Sequence, residues 1–196
     1  MNHPGMVNTV NNTDSEIFEW SQENFEKVKK IISKYPVGRQ QSAVIPVLDL
    51  AQRQNNGWLN KNIIEKVAET LSMSFIRVME VASFYSMFNL KPIGKNFIQI
   101  CRTTPCWLRG SNDLLEIAKK ITGCNLGETS SDNKFTLVEV ECLGACCNAP
   151  MIQINDYYYE DLNQENFESL LMKLKNNEKI IDGSQVGRKS SEPKKN

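Results

Sequence analysis

Two short cysteine-containing segments constrain this chain more than any other feature of its sequence. Residues 101–106 and residues 142–150 together hold five of the six cysteines. Each segment follows an apolar run typical of a β-strand, residues 97–100 for the first and residues 137–140 for the second. Because cysteines at the ends of two strands can meet at one place, the pattern predicts a metal site built from four thiolates.

The spacing within the two segments bears on the kind of metal. The pattern is C-x4-C, then 35 intervening residues, then C-x3-C. Four thiolates suit zinc or an iron–sulfur cluster, and a four-residue gap is more typical of a two-iron cluster. Gly144 and Ala145 carry little side chain, so their N–H groups can approach sulfur, and the segment 102–104 adds further donors and one positive charge. A zinc site, buried plain thiols and disulfides remain the alternatives.

The six cysteines allow more than one set of four ligands. Residues 143–145 form a complete three-residue loop between Cys142 and Cys146, which favours Cys101, Cys106, Cys142 and Cys146. The alternative in which Cys147 replaces Cys146 as the fourth ligand stays open. Cys124 follows Gly123 at the end of a predicted helix and is interpreted as a plain thiol.

The overall composition excludes several classes of protein. Lysine plus arginine and aspartate plus glutamate each total 23, so the net charge is zero and gives no reason to expect nucleic-acid binding. The only histidine is His3, which argues against a His-containing metal site or a Cys–His catalytic pair. No apolar run approaches the roughly 20 residues of a membrane span, and the first 16 residues lack the pattern of a signal or transit peptide. We therefore expect a reducing, cytosolic compartment.

The hydrophobic period changes once along the chain, near Pro92. Before it, four amphipathic helices are predicted over about residues 20–88; after it come strands at 96–101 and 134–141, a helix at 111–122, a hairpin turning at Asn155-Asp156 and a last helix at 163–175. This order predicts an α+β chain, a helical bundle followed by a thioredoxin-like α/β domain. The predicted divisions are a disordered tail at 1–19, a helical part at 20–92, a thioredoxin-like domain at 93–178 and a C-terminal tail at 179–196.

Three further segments have simpler interpretations. Helical spacing favours a core position for the aromatic segment 84–88, with an interface as the alternative. Residues 182–196 are rich in Gly, Ser and Lys and are not expected to fold on their own. Gly123-x3-Gly127 follows a helix and lacks the phosphate-loop fingerprint, so the chain itself is not expected to bind NADH or flavin.

Residues 132–150 resemble, without a gap, the signature of a known family. The matching residues are Asp132-x2-Phe135-Thr136-x5-Cys142-Leu143-Gly144-x-Cys146-x2-Ala149-Pro150. The family is that of the thioredoxin-like 2Fe–2S subunits of NADH-quinone oxidoreductase, respiratory complex I. Weaker similarity covers residues 42–48, 57–59, 82–88, 92–95 and 158–162, and residues 183–193 resemble a Gly-x3-Gly-Arg-x3-Glu-Pro segment of the family.

The resemblance implies a function for the whole chain. It implies one 2Fe–2S cluster at Cys101, Cys106, Cys142 and Cys146, and electron transfer beside the flavin-containing subunit that oxidises NADH and other complex I subunits. It also implies no complete active site in this chain, no direct membrane insertion, a place on the inner face of the bacterial cell membrane, and a C-terminal tail that orders on a partner. The equivalent subunit of a soluble NAD-linked hydrogenase or formate dehydrogenase is the first alternative, and a zinc-stabilised interaction module is the second.

Overall fold

The chain divides into two compact units, Met1–Pro92 and Ile93–Asn196. The computed structural model describes residues 17–192. The tail predicted to be disordered over 1–19 lies mostly outside this range, as do His3 and residues 193–196. Between residues 17 and 192, no helix combines the length and the apolar character needed to cross a bilayer.

The first unit is helical, as predicted. Its helices are α1 (Gln22–Ile32), α2 (Val44–Gln54), α3 (Lys61–Leu71) and α4 (Phe75–Phe84). The Asn60 side chain caps α3, since its Oδ1 accepts a hydrogen bond from the Ile63 N–H at 2.9 Å. Ser42 does not cap α2, because a 3-10 turn at Gln40–Ala43 runs directly into that helix.

Apolar residues at helical spacing form the core of this unit. Each of α2 and α3 places one face inward, and the loops after them contribute further residues. The fully buried members include Val47, Leu48, Ala51, Leu59, Ile63, Ile64, Val67, Leu71 and Val78.

The core position predicted for the aromatic segment 84–88 was wrong for most of its members. The exposed fraction is 73% for Phe84, 40% for Tyr85 and 50% for Met87, and only Phe88 is buried. The reason is that α4 ends at Phe84 and the backbone of Tyr85 is extended, so helical spacing does not continue through the segment. The Gln52 side chain fixes the loop by donating to the Met87 carbonyl and accepting from the Asn89 N–H.

The second unit is built on a mixed sheet. Among the described residues its strands are β1 (Asn96–Cys101), β2 (Glu128–Thr129), β3 (Phe135–Val140), β4 (Ile152–Ile154), β5 (Tyr157–Glu160) and β6 (Gly183–Ser184), in the order β2-β3-β1-β4-β5-β6. β1 and β3 pair in parallel, with Cys101 opposite Val140. The hairpin at Asn155-Asp156 is confirmed, since it joins the antiparallel strands β4 and β5.

Helices cover one face of this sheet. They are α6 (Ser111–Thr122) and α7 (Gln164–Lys175), and a short helix, α5 (Thr104–Leu108), precedes them. Ile98 and Ile100 of β1 point to the same face as Leu137 of β3 and share a core with residues of α6 and α7. The resulting fold is the predicted α+β arrangement of a helical bundle and a thioredoxin-like domain.

Gly94 lies where the chain passes closest to β3. Its N–H donates to the Thr136 hydroxyl at 2.6 Å. A Cβ at this position would lie 2.7 Å from the carbonyl carbon of Phe135. Only glycine therefore lets the chain enter β1 at this distance from β3.

The expectation that residues 182–196 do not fold on their own was wrong for the described part of that segment. Gly183–Ser184 adds β6 to the sheet in parallel with β5. The Arg188 guanidinium forms a salt bridge with Asp161, whose side chain is fully buried. Composition alone missed this, because one arginine at a buried carboxylate offsets the lack of apolar residues.

We expect Gly94→Ala to destabilise the protein by about 1–3 kcal/mol, because the new methyl group meets backbone that cannot move without disturbing the β1–β3 pairing. The measurement is the free energy of unfolding from urea titration. Lys91→Ala, at an exposed position close by, is the control and should change stability by less than about 0.5 kcal/mol. Equal stability of the two variants would contradict the close approach.

Candidate metal centre

The parallel pair β1 and β3 delivers the two cysteine segments to one edge of the sheet. Cys101 is the last residue of β1, and Cys142 follows the end of β3 by two residues. Cys106 lies in α5, and Cys146 begins a 3-10 turn at Cys146–Asn148. The structure therefore places the four cysteines predicted from the spacing at the same edge of the sheet, and their role as ligands stays a prediction.

The four sulfur atoms are arranged as two pairs. The Sγ atoms of Cys142 and Cys146 are 3.3 Å apart, and Cys101 is close enough to Cys106 to contribute to its raised pKa. Within residues 17–192, no three Cys, His, Asp or Glu side chains meet at a position for a single metal ion. Two pairs of thiols supply the four sulfur ligands that a 2Fe–2S cluster takes.

The two pairs differ in exposure. Cys101 and Cys106 are each 1% exposed and form a small apolar cluster with Ala149 and Met151. The pKa of Cys106 is raised to about 12. Burial is the largest cause, and the nearby Cys101 sulfur adds to the rise. Cys142 and Cys146 are exposed. One side of the site is thus dry and the other faces solvent.

Gly144 supplies a backbone donor to the exposed pair. Its N–H donates to Cys142 Sγ at 3.4 Å, and this contact is the main reason why the pKa of Cys142 lies below its ordinary value. The φ of Gly144 is +90°, a conformation that side-chain-bearing residues rarely adopt. The role predicted for Gly144 from its small size therefore has a geometric basis.

Thr103 links the two pairs. Its hydroxyl lies 3.3 Å from Cys101 Sγ and also forms a hydrogen bond that lowers the pKa of Cys142. When both sulfurs are thiolates they carry no proton, so the hydroxyl, which has a single proton, donates to one of them at a time. Arg102 plays a different part from the one expected, because its guanidinium is directed to Glu139, at 2.6 Å, and to Asn112. Its positive charge is balanced there by a carboxylate.

The remaining two cysteines are not part of this group. Cys124 is buried in the core between α6 and β3, where its Sγ lies 3.7 Å from the carbonyl oxygens of Thr122 and Phe135. The Cys147 thiol donates to Asn148 Oδ1 at 2.9 Å. Both positions match the interpretation of these residues as plain thiols.

The sequence patterns missed several residues that hold the site in place. The Tyr158 hydroxyl donates to the Leu143 carbonyl at 2.7 Å and fixes the loop between Cys142 and Cys146. Its partly buried position on β5 follows from strand alternation, but its contact with a loop 15 residues earlier does not. Arg188, whose guanidinium donates to the Cys147 carbonyl, is a second such residue.

Comparison with known proteins adds a family. The model of the family described as "Thioredoxin-like [2Fe-2S] ferredoxin" matches residues 28–175. The chain is 52% identical over 186 residues to "NADH dehydrogenase [ubiquinone] flavoprotein 2, mitochondrial" of Dictyostelium discoideum, covering 95% of this chain and 75% of that protein. It is 53% identical over 165 residues to an NADH-quinone oxidoreductase subunit of Rickettsia bellii (strain RML369-C), covering 84% of this chain and 99% of that one.

A solved structure shares the fold. It is an NAD+-reducing [NiFe]-hydrogenase in the H2-reduced state, with a TM-score of 0.60 and 20% identity. The match covers 67% of this chain and 23% of the hydrogenase chain, so this chain corresponds to about a quarter of that one. At this identity the likeness concerns the fold alone.

In cluster-free protein at about pH 8, we expect iodoacetamide to modify Cys142 well before Cys106, because the thiolate is the reactive form and, of these two, only Cys142 has a lowered pKa. Peptide mapping by mass spectrometry over time measures both rates. Buried Cys124 serves as the unreactive reference. Equal rates at Cys106 and Cys142 would contradict the assignment of one dry and one wet pair.

Proposed function

Since the chain belongs to the thioredoxin-like [2Fe-2S] ferredoxin family, as a relative of the corresponding subunits of NADH-quinone oxidoreductase, we propose that it carries one 2Fe–2S cluster on Cys101, Cys106, Cys142 and Cys146. In this proposal it transfers electrons within that complex. The observation that carries the proposal is the convergence of two cysteine pairs at the ends of the parallel strands β1 and β3. The cluster-bearing domain is residues 93–178, and the helical part is residues 20–92.

A 2Fe–2S cluster, when bound, accepts and releases one electron without any acid–base group. The residues of this chain supply the rest. Cys101 and Cys106 hold the dry side and keep water away from it. Gly144 and Thr103 donate hydrogen bonds to cysteine sulfur, and such donors are among the main controls of reduction potential.

The electron donor belongs to another chain in this proposal. Gly123 ends α6 in a left-handed conformation, and the Gly127 N–H donates to the Leu137 carbonyl at 2.7 Å. The partner is the flavin-containing subunit that oxidises NADH, together with other subunits of the complex. The names of the similar proteins, a flavoprotein of NADH dehydrogenase and an NADH-quinone oxidoreductase subunit, support membership of an NADH-oxidising complex with further subunits.

The compartment follows from the complex. We place the chain in the cytoplasm, peripheral to the inner face of a bacterial cell membrane. The relative from Dictyostelium, whose name includes "mitochondrial", makes a mitochondrial location the alternative.

A soluble NAD-linked hydrogenase or formate dehydrogenase is the second candidate setting. The likeness to the NAD+-reducing hydrogenase, at 20% identity, concerns the fold alone, whereas the identity to the NADH dehydrogenase proteins is 52–53%. The sequence similarity therefore favours the quinone-linked complex. Purification of the native assembly and identification of its other chains decides between them.

Replacing each cysteine in turn with serine tests the ligand set. After reconstitution with iron and sulfide, we expect the red-brown absorbance of the cluster to be lost or strongly altered for Cys101, Cys106, Cys142 and Cys146, because each variant lacks one thiolate. Cys124→Ser and Cys147→Ser are the matched controls and should keep the wild-type spectrum. Loss of colour with Cys147→Ser and its retention with Cys146→Ser would sink the assignment, and a colourless zinc-loaded wild type would sink the proposed function.

The exposed aromatic segment offers a test of the partnership. Phe84 and Tyr85 stack edge to face at 5.1 Å, and with Met87 they expose more apolar surface than a scattered residue does. We expect Phe84→Ser to weaken binding of the partner subunits by roughly tenfold while the cluster spectrum is unchanged. Val37→Ser, at a fully exposed position elsewhere in the helical unit, is the control. Wild-type recovery of the partners with Phe84→Ser would exclude this surface.

A further inference from the structure

The C-terminal residues 183–190, here called the C-terminal clasp, are anchored by a buried ion pair. Arg188 Nε donates to Asp161 Oδ2 at 2.7 Å, and Arg188 Nη2 donates to Asp161 Oδ1 at 2.6 Å. The side chain of Asp161 is 0% exposed and that of Arg188 is 11% exposed. A forked contact of this kind fixes both position and orientation of the guanidinium.

The remaining acceptor capacity of Asp161 is also used. The Ser184 hydroxyl donates to Oδ2 at 2.7 Å, and the Asn148 side-chain amide donates to the same oxygen at 3.2 Å. Burial alone raises the pKa of Asp161, but the hydrogen bonds from Arg188, Ser184 and Asn148 outweigh it, and the pKa lies below its ordinary value. The carboxylate is therefore ionised and well satisfied inside the protein.

The same groups hold the turn that carries Cys146. Arg188 Nη2 donates to the Cys147 carbonyl at 2.6 Å. The Asn148 side chain donates to the Ser190 carbonyl at 2.7 Å, and the Asp161 N–H donates to the Asn148 carbonyl at 2.7 Å. Three hydrogen bonds thus fix the two residues that follow Cys146. Two of them involve the clasp, in one case with Arg188 as the donor and in the other with the Ser190 carbonyl as the acceptor.

We propose that Arg188 is a positioning residue for the metal centre: together with Asp161 it fixes the backbone of Cys147 and Asn148, and thereby holds the Cys146 sulfur beside that of Cys142. The clasp is then part of the metal centre and controls how firmly the cluster is retained. This inference rests on the proposed 2Fe–2S function. The expectation that the segment orders on a partner stays a prediction.

The exposed position of the second cysteine pair explains why such a device is needed. Cys101 and Cys106 are held by packing, since both are buried among apolar residues. Cys142 and Cys146 are exposed and lack that support. Polar contacts to the backbone take its place: Tyr158 at the Leu143 carbonyl before Cys146, and Arg188 at the Cys147 carbonyl after it.

The test uses the full-length chain reconstituted with iron and sulfide. Arg188→Gln removes the charge, and Arg188→Lys keeps the charge but loses the fork. Asp161→Asn removes the partner charge, and asparagine tolerates the left-handed backbone found at this position, where φ is +55°. Leu171→Ala, in the core of the same domain, is the control for general destabilisation, and Lys189→Ala is the surface control within the clasp.

The first measurement is the rate at which an excess of iron chelator removes the cluster, followed by visible absorbance at 25 °C. We expect Arg188→Gln and Asp161→Asn to accelerate the loss tenfold to hundredfold, on the order found for residues that orient metal ligands, with Arg188→Lys in between. Leu171→Ala should lower the thermal midpoint and leave the rate close to that of the wild type. Acceleration by Leu171→Ala as large as that by Arg188→Gln, or no acceleration by Arg188→Gln and Asp161→Asn, overturns the proposal.

The second measurement does not need the cluster. Amide hydrogen exchange at Asn148 and Ala149 in cluster-free protein should be faster in Arg188→Gln than in the wild type or in Lys189→Ala. Equal exchange rates in all three proteins would mean that the clasp does not fix this turn, and would overturn the proposal. If the wild type fails to take up a 2Fe–2S cluster, the proposed function fails instead, and the exchange result still decides whether Arg188 fixes this turn. If Arg188→Gln does not fold, Arg188→Lys and Asp161→Asn carry both measurements.

Discussion

The register of the parallel strands β1 and β3 is the constraint on which the rest of this structure depends. It places Cys101 opposite Val140, so both cysteine segments leave the sheet at the same edge. Side chains alternate along a strand, and a slip of one residue would turn Cys101 toward the face where Ile100 packs against α6 and α7. The close approach of Gly94 to Phe135 and its hydrogen bond to Thr136 fix that register at the start of β1.

The metal centre divides its four cysteines between two kinds of support. Apolar packing holds Cys101 and Cys106, and this burial would be costly for two thiolates without compensating charge or hydrogen bonds. Backbone and side-chain hydrogen bonds hold Cys142 and Cys146 at the surface. A site with one dry side and one exposed side suits electron transfer, because the dry side protects the cluster and the exposed side lets a partner approach.

Two errors of the sequence analysis have the same origin. The clasp looked unable to fold because its residues are polar, yet a single ion pair between Arg188 and the buried Asp161 anchors it. The segment from Phe84 to Met87 looked like core because of its spacing, yet α4 ends at Phe84. In the first case the deciding contact joins residues far apart in the sequence, and in the second the end of the helix breaks the spacing. Neither composition nor periodicity reports such a feature.

The sequence by itself determined the bundle, the β1–β3 order, the α6 and α7 helices and the candidate cysteine set, because strand alternation, helical spacing and cysteine spacing are local patterns. It also separated Cys124 from the other cysteines through its place at a helix end. Only the tertiary structure decided which side chains support the site: Thr103 between the pairs, Tyr158 at Leu143 and Arg188 at Cys147. The last two act across 15 and 41 residues of chain, and contacts at that separation are set by how strands and turns pack and not by any local pattern.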